Sequence, residues 1–321
     1  MPIAHSTYSS PLCLDGGHRQ TLYASLVRRV DFAYDCRERL DTPDGDFLDL
    51  DWAWAGSSSP SDRVVILTHG LEGSADRGYM RGMARALGRR GWDACALNLR
   101  GCSGTPNQQV ATYHSGKTDD LARVVDHVLD SGYPSVALIG FSLGGNLTLK
   151  YLGERGPDVD ARIRGAVALS APVDLSASAD RIDRWTNRHY VQYFLRSLRR
   201  KMRVKARQHS DRVSTRHLQK IHTLRGFDEA YTAPLHGFTD AADYYRRASS
   251  KPLLSDLAVP TLLLNAADDP FLPPLCYPRK IARDHPPLTL EVPESGGHVG
   301  FVSFNDRGEY WSERRTTSFL S

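Results

Sequence analysis

The chain has 321 residues, of which 40% are hydrophobic, 24% charged and 9% aromatic. This composition is typical of a folded globular protein, and it excludes a collagen-like repeat, a disordered chain and a small disulfide scaffold. The net charge of +4 is mild, but it is unevenly distributed. Residues 181–225, here called the basic segment, hold fourteen Lys and Arg against two Asp. This segment therefore carries +12 and the rest of the chain −8, an asymmetry that needs an explanation.

The N-terminal stretch and the cysteines bear on location. Residues 1–17 lack a basic region followed by an apolar run, so we expect no secretory signal. No run approaches eighteen apolar residues, which predicts that no helix spans a membrane. The five cysteines are scattered without a Cys-x-x-Cys pair, a pattern that indicates free thiols in a reducing compartment and no zinc site. We expect a cytoplasmic protein without a bound metal.

The first strand pattern is Phe47–Trp54, which alternates with period two as a half-buried strand does. Residues 37–54 together predict an antiparallel edge of a sheet, and the serine-rich stretch 57–61 predicts a short hairpin loop. Short continuous apolar runs follow, of the kind that is buried on both faces of a parallel sheet. These runs are Val64–Thr68, Ala94–Leu97, Val136–Phe141, Ala166–Leu169, Thr261–Asn265 and Leu288–Val292.

Helical patterns lie between these runs, at Arg77–Arg90, Lys117–Ser131, Gly144–Gly153 and Pro273–Asp284. The β-α-β-α order predicts an α/β fold with a mostly parallel central sheet and helices on both faces. The alternation stops at residues 174–254, where helical patterns such as Tyr190–Leu198 dominate. We predict a helical lid insertion at 174–254, containing the basic segment, between two parts of one core, 1–173 and 255–321.

The run Val136–Phe141 leads directly into Gly140-Phe-Ser142-Leu-Gly144 and then into a helical pattern. This is the strand–turn–helix context that a G-x-S-x-G motif requires. A serine on so sharp a turn has strained backbone angles, and glycines two residues before and after it remove side chains that would clash. The context favours Ser142 as a nucleophile over an incidental serine in a glycine-rich turn.

A serine hydroxyl is a weak nucleophile unless a neighbouring base takes its proton. Of the twelve histidines, His298 is the best candidate, because it lies on a glycine-rich loop after the last predicted strand. Asp268 and Asp269 follow the preceding predicted strand. We favour Asp269 as the acid, since Pro270 constrains the turn after it, and keep Asp268 as the alternative. The order Ser, Asp, His is that of α/β-hydrolases.

The sequence His69-Gly70-Leu71-Glu72-Gly73-Ser74, here called the 69–74 loop, follows the predicted strand Val64–Thr68. We expect the backbone N–H groups of Leu71 and Leu143 to form an oxyanion hole, in which each donor contributes about 3 kcal/mol to the transition state. His69 allows two interpretations, a metal ligand or base on one side and a brace for the loop on the other. Its position beside Gly70 favours the brace.

Eight segments of the sequence, the 69–74 loop among them, together resemble the YheT-like branch of the α/β-hydrolase fold family. The resemblance implies a Ser142–Asp269–His298 triad and activity on carboxylic esters. Since such a triad acts through its own side chains, we expect no cofactor. Gly17 stands where proline is usual in this branch, and residues 181–220 are the least similar stretch. The segments that carry the resemblance are 16–22, 69–74, 98–104, 113–121, 140–146, 227–238, 243–249 and 265–271.

Two classes of function follow. The first is a serine carboxylester hydrolase that acts on a small-molecule or lipid ester through an acyl-enzyme on Ser142, with an acyltransferase using the same triad as its alternative. The second is a membrane-surface or polyanion-binding protein in which the basic lid dominates. Residues 190–207 combine aromatic and basic side chains, a pattern consistent with a weak contact with an anionic membrane surface. The favoured interpretation of these residues is a solvated helical face whose cations pair with the excess acids of the rest of the chain. No nucleic-acid-binding fold is recognised, so no nucleic acid partner is expected.

Overall fold

The protein is represented by a computed structural model that describes residues 2–56 and 61–321. The predicted loop at 57–61 lies outside the described residues, except for Ser61. Within these ranges the chain forms one nine-stranded sheet. Its strands are β1 (Ile3–Ala4), β2 (Cys36–Asp41), β3 (Phe47–Ala53), β4 (Arg63–Thr68), β5 (Asp93–Asn98), β6 (Ser135–Phe141), β7 (Ile163–Leu169), β8 (Thr261–Leu264) and β9 (Leu288–Glu291).

The strand order across the sheet is β1-β9-β8-β7-β6-β4-β5-β3-β2. The pairs β2–β3 and β3–β5 are antiparallel, and every other neighbouring pair among the described strands is parallel. The prediction of a mostly parallel sheet with an antiparallel edge is confirmed. Because parallel strands point the same way, the loops that follow β4, β6, β8 and β9 emerge at one edge of the sheet.

The expectation of a half-buried strand at Phe47–Trp54 is wrong, since all seven residues of β3, Phe47–Ala53, are buried. The strand lies inside the sheet between β2 and β5. Its polar positions are covered by arginines of β2: Arg37 donates to Asp51 at 2.6 Å and Arg39 to Asp49 at 2.8 Å. Alternating polarity in this strand therefore marks buried carboxylates that are covered by half-exposed arginines, and not a solvated face.

Helices cover both faces of the sheet, as predicted. Helices α3 and α4 pack on one apolar cluster, and α2 and α11 pack on the other. The helices are α1 (Gly17–Leu22), α2 (Gly78–Gly88), α3 (Thr118–Asp130), α4 (Leu143–Arg155), α5 (Leu175–Ile182), α6 (Arg188–Gln208), α7 (Leu224–Phe227), α8 (Ala233–Leu235), α9 (Ala241–Ala248), α10 (Arg279–Asp284) and α11 (Trp311–Phe319).

The predicted helix Pro273–Asp284 is wrong at its start. Only a short 3₁₀ turn, Pro274–Cys276, forms there, and α10 begins at Arg279. Tyr277 precedes Pro278 and has φ −117° and ψ 80°. A proline disfavours helical angles in the residue before it, so the chain stays extended until Pro278 has passed.

Residues 174–254, here called the helical segment, connect β7 to β8 and hold α5 to α9 without a strand, and the structure describes all of them. Leu195, Leu198 and Met202 of α6 pack in one apolar cluster with Val110 of the core. The division into core parts 1–173 and 255–321 with an insertion at 174–254 stays a prediction. In the part of the chain that is described, no helix is both long enough and apolar enough to cross a membrane.

Candidate active site

Ser142 occupies the sharp turn between β6 and α4, with φ 54° and ψ −119°. Positive φ values are costly for a residue with a side chain and are typical of strained functional turns. The flanking glycines are sterically required. A Cβ on Gly140 would lie 2.1 Å from the carbonyl oxygen of Gly144, and a Cβ on Gly144 would lie 2.3 Å from that of Thr68.

The three predicted residues Ser142, Asp269 and His298 lie in one hydrogen-bonded chain. His298 Nε2 is 2.8 Å from Ser142 Oγ, and His298 Nδ1 is 2.8 Å from Asp269 Oδ2. Since a carboxylate only accepts, Nδ1–H donates to Asp269, which leaves Nε2 to accept the hydroxyl proton of Ser142. Asp269 is 1% exposed and also accepts the N–H of Phe271 at 2.8 Å. The arrangement is chemically that of a nucleophile, a base and an orienting acid.

The loop that carries His298 is held by two hydroxyl groups. The N–H of His298 donates to Thr21 Oγ1 at 2.8 Å, and the N–H of Val299 donates to Ser170 Oγ at 2.9 Å. Sequence reasoning missed both hydroxyls, because they come from α1 and from the end of β7. The only signal for Thr21 was its place in the 16–22 segment that carries the family resemblance.

Asp268 contacts the same loop but not the imidazole. Its Oδ1 accepts the N–H of Gly297 at 2.8 Å, and burial raises the pKa of this carboxyl group. The carbonyl oxygen of Asp268 lies 1.9 Å from the place of a Cβ on Gly17. Any residue with a side chain at position 17 would force this backbone to shift.

The 69–74 loop lies directly against Ser142, since a Cβ on Gly70 would come within 3.0 Å of Ser142 Cβ. The N–H of Gly70 itself donates to Tyr79 Oη at 3.1 Å. Among the described residues, the N–H groups of Leu71 and Leu143 have no hydrogen-bond acceptor. One follows Gly70 and the other follows Ser142, so both lie in backbone that adjoins the serine.

His69 is fully buried, and both of its ring nitrogens have protein partners. Nδ1–H donates to the carbonyl oxygen of Gly70 at 2.7 Å, and Nε2 accepts the N–H of Leu99 at 3.1 Å. Burial lowers the pKa of His69 to about 4, so the ring is neutral. This geometry is that of a brace. Over residues 2–56 and 61–321, no group of His, Cys, Asp and Glu is arranged to hold a metal ion.

Ser142 lines two cavities. The inner cavity, of about 120 Å³, lies between the core and the helical segment, and the outer cavity, of about 270 Å³, lies beside residues 21–26. Leu198, Met202 and Phe227 line the inner cavity, and the exposed Leu26 lines the outer one. A molecule bound at Ser142 can thus extend in two directions. The lining residues that both cavities share are Leu71, Ser142, Phe194 and Phe271.

A profile of the alpha/beta hydrolase fold matches residues 63–304 of the chain. The chain is 34% identical over 308 residues to the "Putative esterase YheT" of Escherichia coli (strain K12), which covers 95% of the chain and 90% of that relative. It is 29% identical over 309 residues to the human phospholipase ABHD3, covering 94% and 75% of the two chains. The solved Pyrococcus furiosus esterase Pf2001 has a similar fold, with a TM-score of 0.59, 18% identity and 90% of each chain covered.

The chain therefore belongs to the α/β-hydrolase fold family, in agreement with its sheet and with the turn that carries Ser142. Within that family, the identity to YheT extends over nearly the whole of both chains. This places it in the YheT-like branch and confirms the resemblance inferred from the sequence.

Proposed function

We propose that the protein is a serine hydrolase that cleaves a carboxylic ester of a small molecule or a lipid. The observation that carries this proposal is the hydrogen-bonded chain from Ser142 through His298 to Asp269. The names of the relatives point the same way, since they are called an esterase and a phospholipase.

In the proposed acylation step, Ser142 Oγ attacks the ester carbonyl while His298 Nε2 takes the hydroxyl proton. Asp269 keeps Nδ1 protonated and stabilises the imidazolium ion. The N–H groups of Leu71 and Leu143 bind the oxyanion that develops on the carbonyl oxygen. The C–O bond then breaks, and the imidazolium donates its proton to the departing alcohol.

In the proposed deacylation step, His298 removes a proton from water, which attacks the acyl-enzyme. The carboxylic acid leaves, and the proton returns to Ser142 Oγ, so the enzyme is regenerated without a cofactor. If an alcohol replaces water, the same steps give acyl transfer. Analysis of the products in the presence of added alcohols separates these two reactions.

The two cavities suggest how an ester binds. We place the acyl chain in the inner cavity, because apolar side chains of the helical segment enclose it, and the alcohol part in the outer cavity. The helical segment would then act as a lid that selects the acyl chain. The five free cysteines fit a reducing compartment, and the cytoplasm remains the proposed location.

The test combines a fluorophosphonate probe with a panel of esters of increasing acyl length. We expect the unchanged protein to be labelled and to hydrolyse some of the esters, and Ser142→Ala to do neither. Ser131→Ala, which changes an exposed serine at the end of α3, is the matched control and should keep both properties. Equal labelling of the unchanged protein and Ser142→Ala would contradict the proposal.

A second proposal concerns the outer surface of α6. Four of its exposed arginines are spaced four, three and four residues apart and so share one side of the helix. Among the described residues none of the four has a carboxylate partner within 4.0 Å. We propose that this arginine stripe makes a weak contact with an anionic lipid surface, to which each cation contributes about 1 kcal/mol. The stripe consists of Arg196, Arg200, Arg203 and Arg207.

Co-sedimentation with vesicles rich in phosphatidylserine tests this contact. We expect binding at low salt that is lost at high salt, because salt screens exposed charges. Replacing the four stripe residues by glutamine should abolish binding. A control with the same change in charge at Arg164, Arg279, Lys280 and Arg283, all exposed on the core, should retain it. If both variants bind equally, the stripe is not the contact.

A further inference from the structure

The 69–74 loop carries a buried carboxylate that the mechanism above does not use. Glu72 has a side chain only 3% exposed and a left-handed backbone with φ 52°. It directly follows Leu71, whose N–H is one of the two proposed oxyanion donors. The position of this N–H therefore depends on whatever holds Glu72 in place.

Three side chains donate to the carboxylate of Glu72. Tyr113 Oη and Lys201 Nζ each lie 2.7 Å away, and Ser197 Oγ lies 2.5 Å away. The tyrosine belongs to the core, whereas Ser197 and Lys201 are one turn apart on α6 of the helical segment. Two of the three donors, including the only cation among them, thus come from outside the core.

Burial alone would raise the pKa of Glu72, but Lys201, Ser197 and Tyr113 hold it below its ordinary value. The ammonium group of Lys201 also lies 4.6 Å from the centre of the Tyr113 ring, which favours the cation. The pair is therefore charged. A buried carboxylate that lost this cation would carry an uncompensated charge in an apolar surrounding.

A further contact joins the backbone of Glu72 to α6. Arg77 Nη2 donates to the carbonyl oxygen of Glu72 at 2.9 Å and to Tyr193 Oη at 3.0 Å. The N–H of Glu72 donates to Tyr113 Oη at 2.8 Å. The side chain, the carbonyl group and the N–H group of Glu72 are thus all hydrogen-bonded. Helix α6 contacts the side chain directly and the carbonyl group through Tyr193 and Arg77.

The other inward lysine of α6 has a different role. Lys205 Nζ donates to the carbonyl oxygens of Asn107 and Gln109, at 2.6 and 2.5 Å, and no hydrogen bond joins it to Glu72 in the part of the chain that is described. It fastens the helix to another loop of the core. Lys205 therefore offers a matched control for Lys201, since both are inward lysines one turn apart.

We infer that Lys201, assisted by Ser197, is a positioning residue for the oxyanion hole. By holding Glu72, it fixes the Leu71 N–H, so the hole is complete only while α6 is seated on the core. This inference rests on the proposed hydrolase function and on the role proposed for Leu71. It follows that a change that unseats α6 from the core would impair hydrolysis.

The test measures kcat and KM for a short, soluble ester. Loss of one oxyanion donor lowers kcat by about 10²–10³-fold, so a displaced donor in Lys201→Met should cost about 10–100-fold in kcat, with KM changed less than about threefold. Lys201→Arg keeps the positive charge and should therefore retain most of the kcat of the unchanged protein. Lys205→Met should keep kcat within about threefold.

A second comparison separates positioning from general packing. If the uncompensated carboxylate of Glu72 displaces the loop in Lys201→Met, then adding Glu72→Gln should recover part of the lost kcat, because the amide is neutral. The pH dependence of kcat/KM should stay the same in all these variants, because none of them changes a group proposed to transfer a proton. Ser197→Ala removes one neutral donor and should lower kcat by about threefold to tenfold, which keeps the test open if Lys201→Met does not fold.

Equal losses of kcat in Lys201→Met and Lys205→Met would overturn the inference, and so would an effect on KM alone or the absence of recovery by Glu72→Gln in folded protein. Ser142→Ala is measured in parallel. If the activity does not depend on Ser142, the proposed function itself fails. If it depends on Ser142 but not on Lys201 or Ser197, only the positioning role fails.

Discussion

The edge of the sheet where the candidate active site lies and the helical segment use polar residues in opposite ways. At the edge, Ser142, Asp269 and His298 sit on loops that closely follow three strands, so the sheet itself determines their distances. On α6, cations that are close in sequence point to opposite sides of the helix and have different partners. Lys201 and Lys205 point inward to the core, while the arginine stripe points outward.

This difference predicts where a substitution acts. A change at the edge of the sheet alters the groups that we propose make and break bonds, whereas a change in the helical segment should alter the fit of the substrate or the positions of those groups. Effects on rate should therefore be largest at the edge, and effects on substrate choice should be largest on the residues of the helical segment that line the inner cavity.

The largest effect is expected for Asp269→Asn, compared with Asp268→Asn. An amide at 269 favours the wrong tautomer of His298, and we expect kcat to fall by about 10⁴-fold. Asparagine at 268 can still accept the N–H of Gly297, so its loss should stay below about tenfold. Steady-state rates on one soluble ester measure both. A larger loss in Asp268→Asn would reverse the assignment of the acid.

An intermediate effect is expected for Leu198→Trp, which enlarges a side chain that lines the inner cavity. An apolar pocket that is too small for a substrate group lowers kcat/KM for that substrate by about tenfold or more. We therefore expect kcat/KM for long acyl chains to fall by about tenfold, with acetate esters changed less than about threefold. Tyr193→Trp, which changes the outer cavity, is the control and should leave the acyl preference unchanged. A uniform loss over all chain lengths would argue against the inner cavity as the acyl site.

The last comparison concerns stability and not the reaction, and tests Asp228→Asn at several pH values. Asp228 accepts from Thr232 and Tyr245, and burial raises its pKa to about 6. Since the raised pKa favours the protonated form, its contribution to stability is complete below about pH 4 and is lost as the pH rises through about 6. The substitution removes this slope, so between about pH 4 and pH 7 the variant should gain at most about 3 kcal/mol relative to the unchanged protein.

Denaturant unfolding at several pH values provides the measurement for Asp228→Asn. The result to look for is a difference in the free energy of unfolding that grows between about pH 4 and pH 6. If the curves of the variant and the unchanged protein run parallel over this range, Asp228 ionises there as an ordinary carboxyl group.

Much of the fold could be predicted because its signals are local. Apolar runs such as Val136–Phe141 are buried strands, and Gly140 is required by a contact with Gly144, four residues along the chain. The prediction of a half-buried strand at Phe47–Trp54 was wrong for the opposite reason. Its buried carboxylates depend on arginines of another strand, and polarity along a single strand cannot distinguish water from a guanidinium group.

The candidate site, like the fold, could be predicted from the sequence only in part. By itself, the sequence determined the sharp turn at Ser142, the order of the three candidate site residues and the net +12 of the basic segment. Only the tertiary structure decided that His298 contacts Asp269 and not Asp268, and that Lys201 pairs with Glu72 while the arginine stripe faces outward. The physical reason is that strained turns and apolar runs are satisfied by near neighbours. The partner of a buried charge, by contrast, comes from wherever the fold brings one within hydrogen-bond distance.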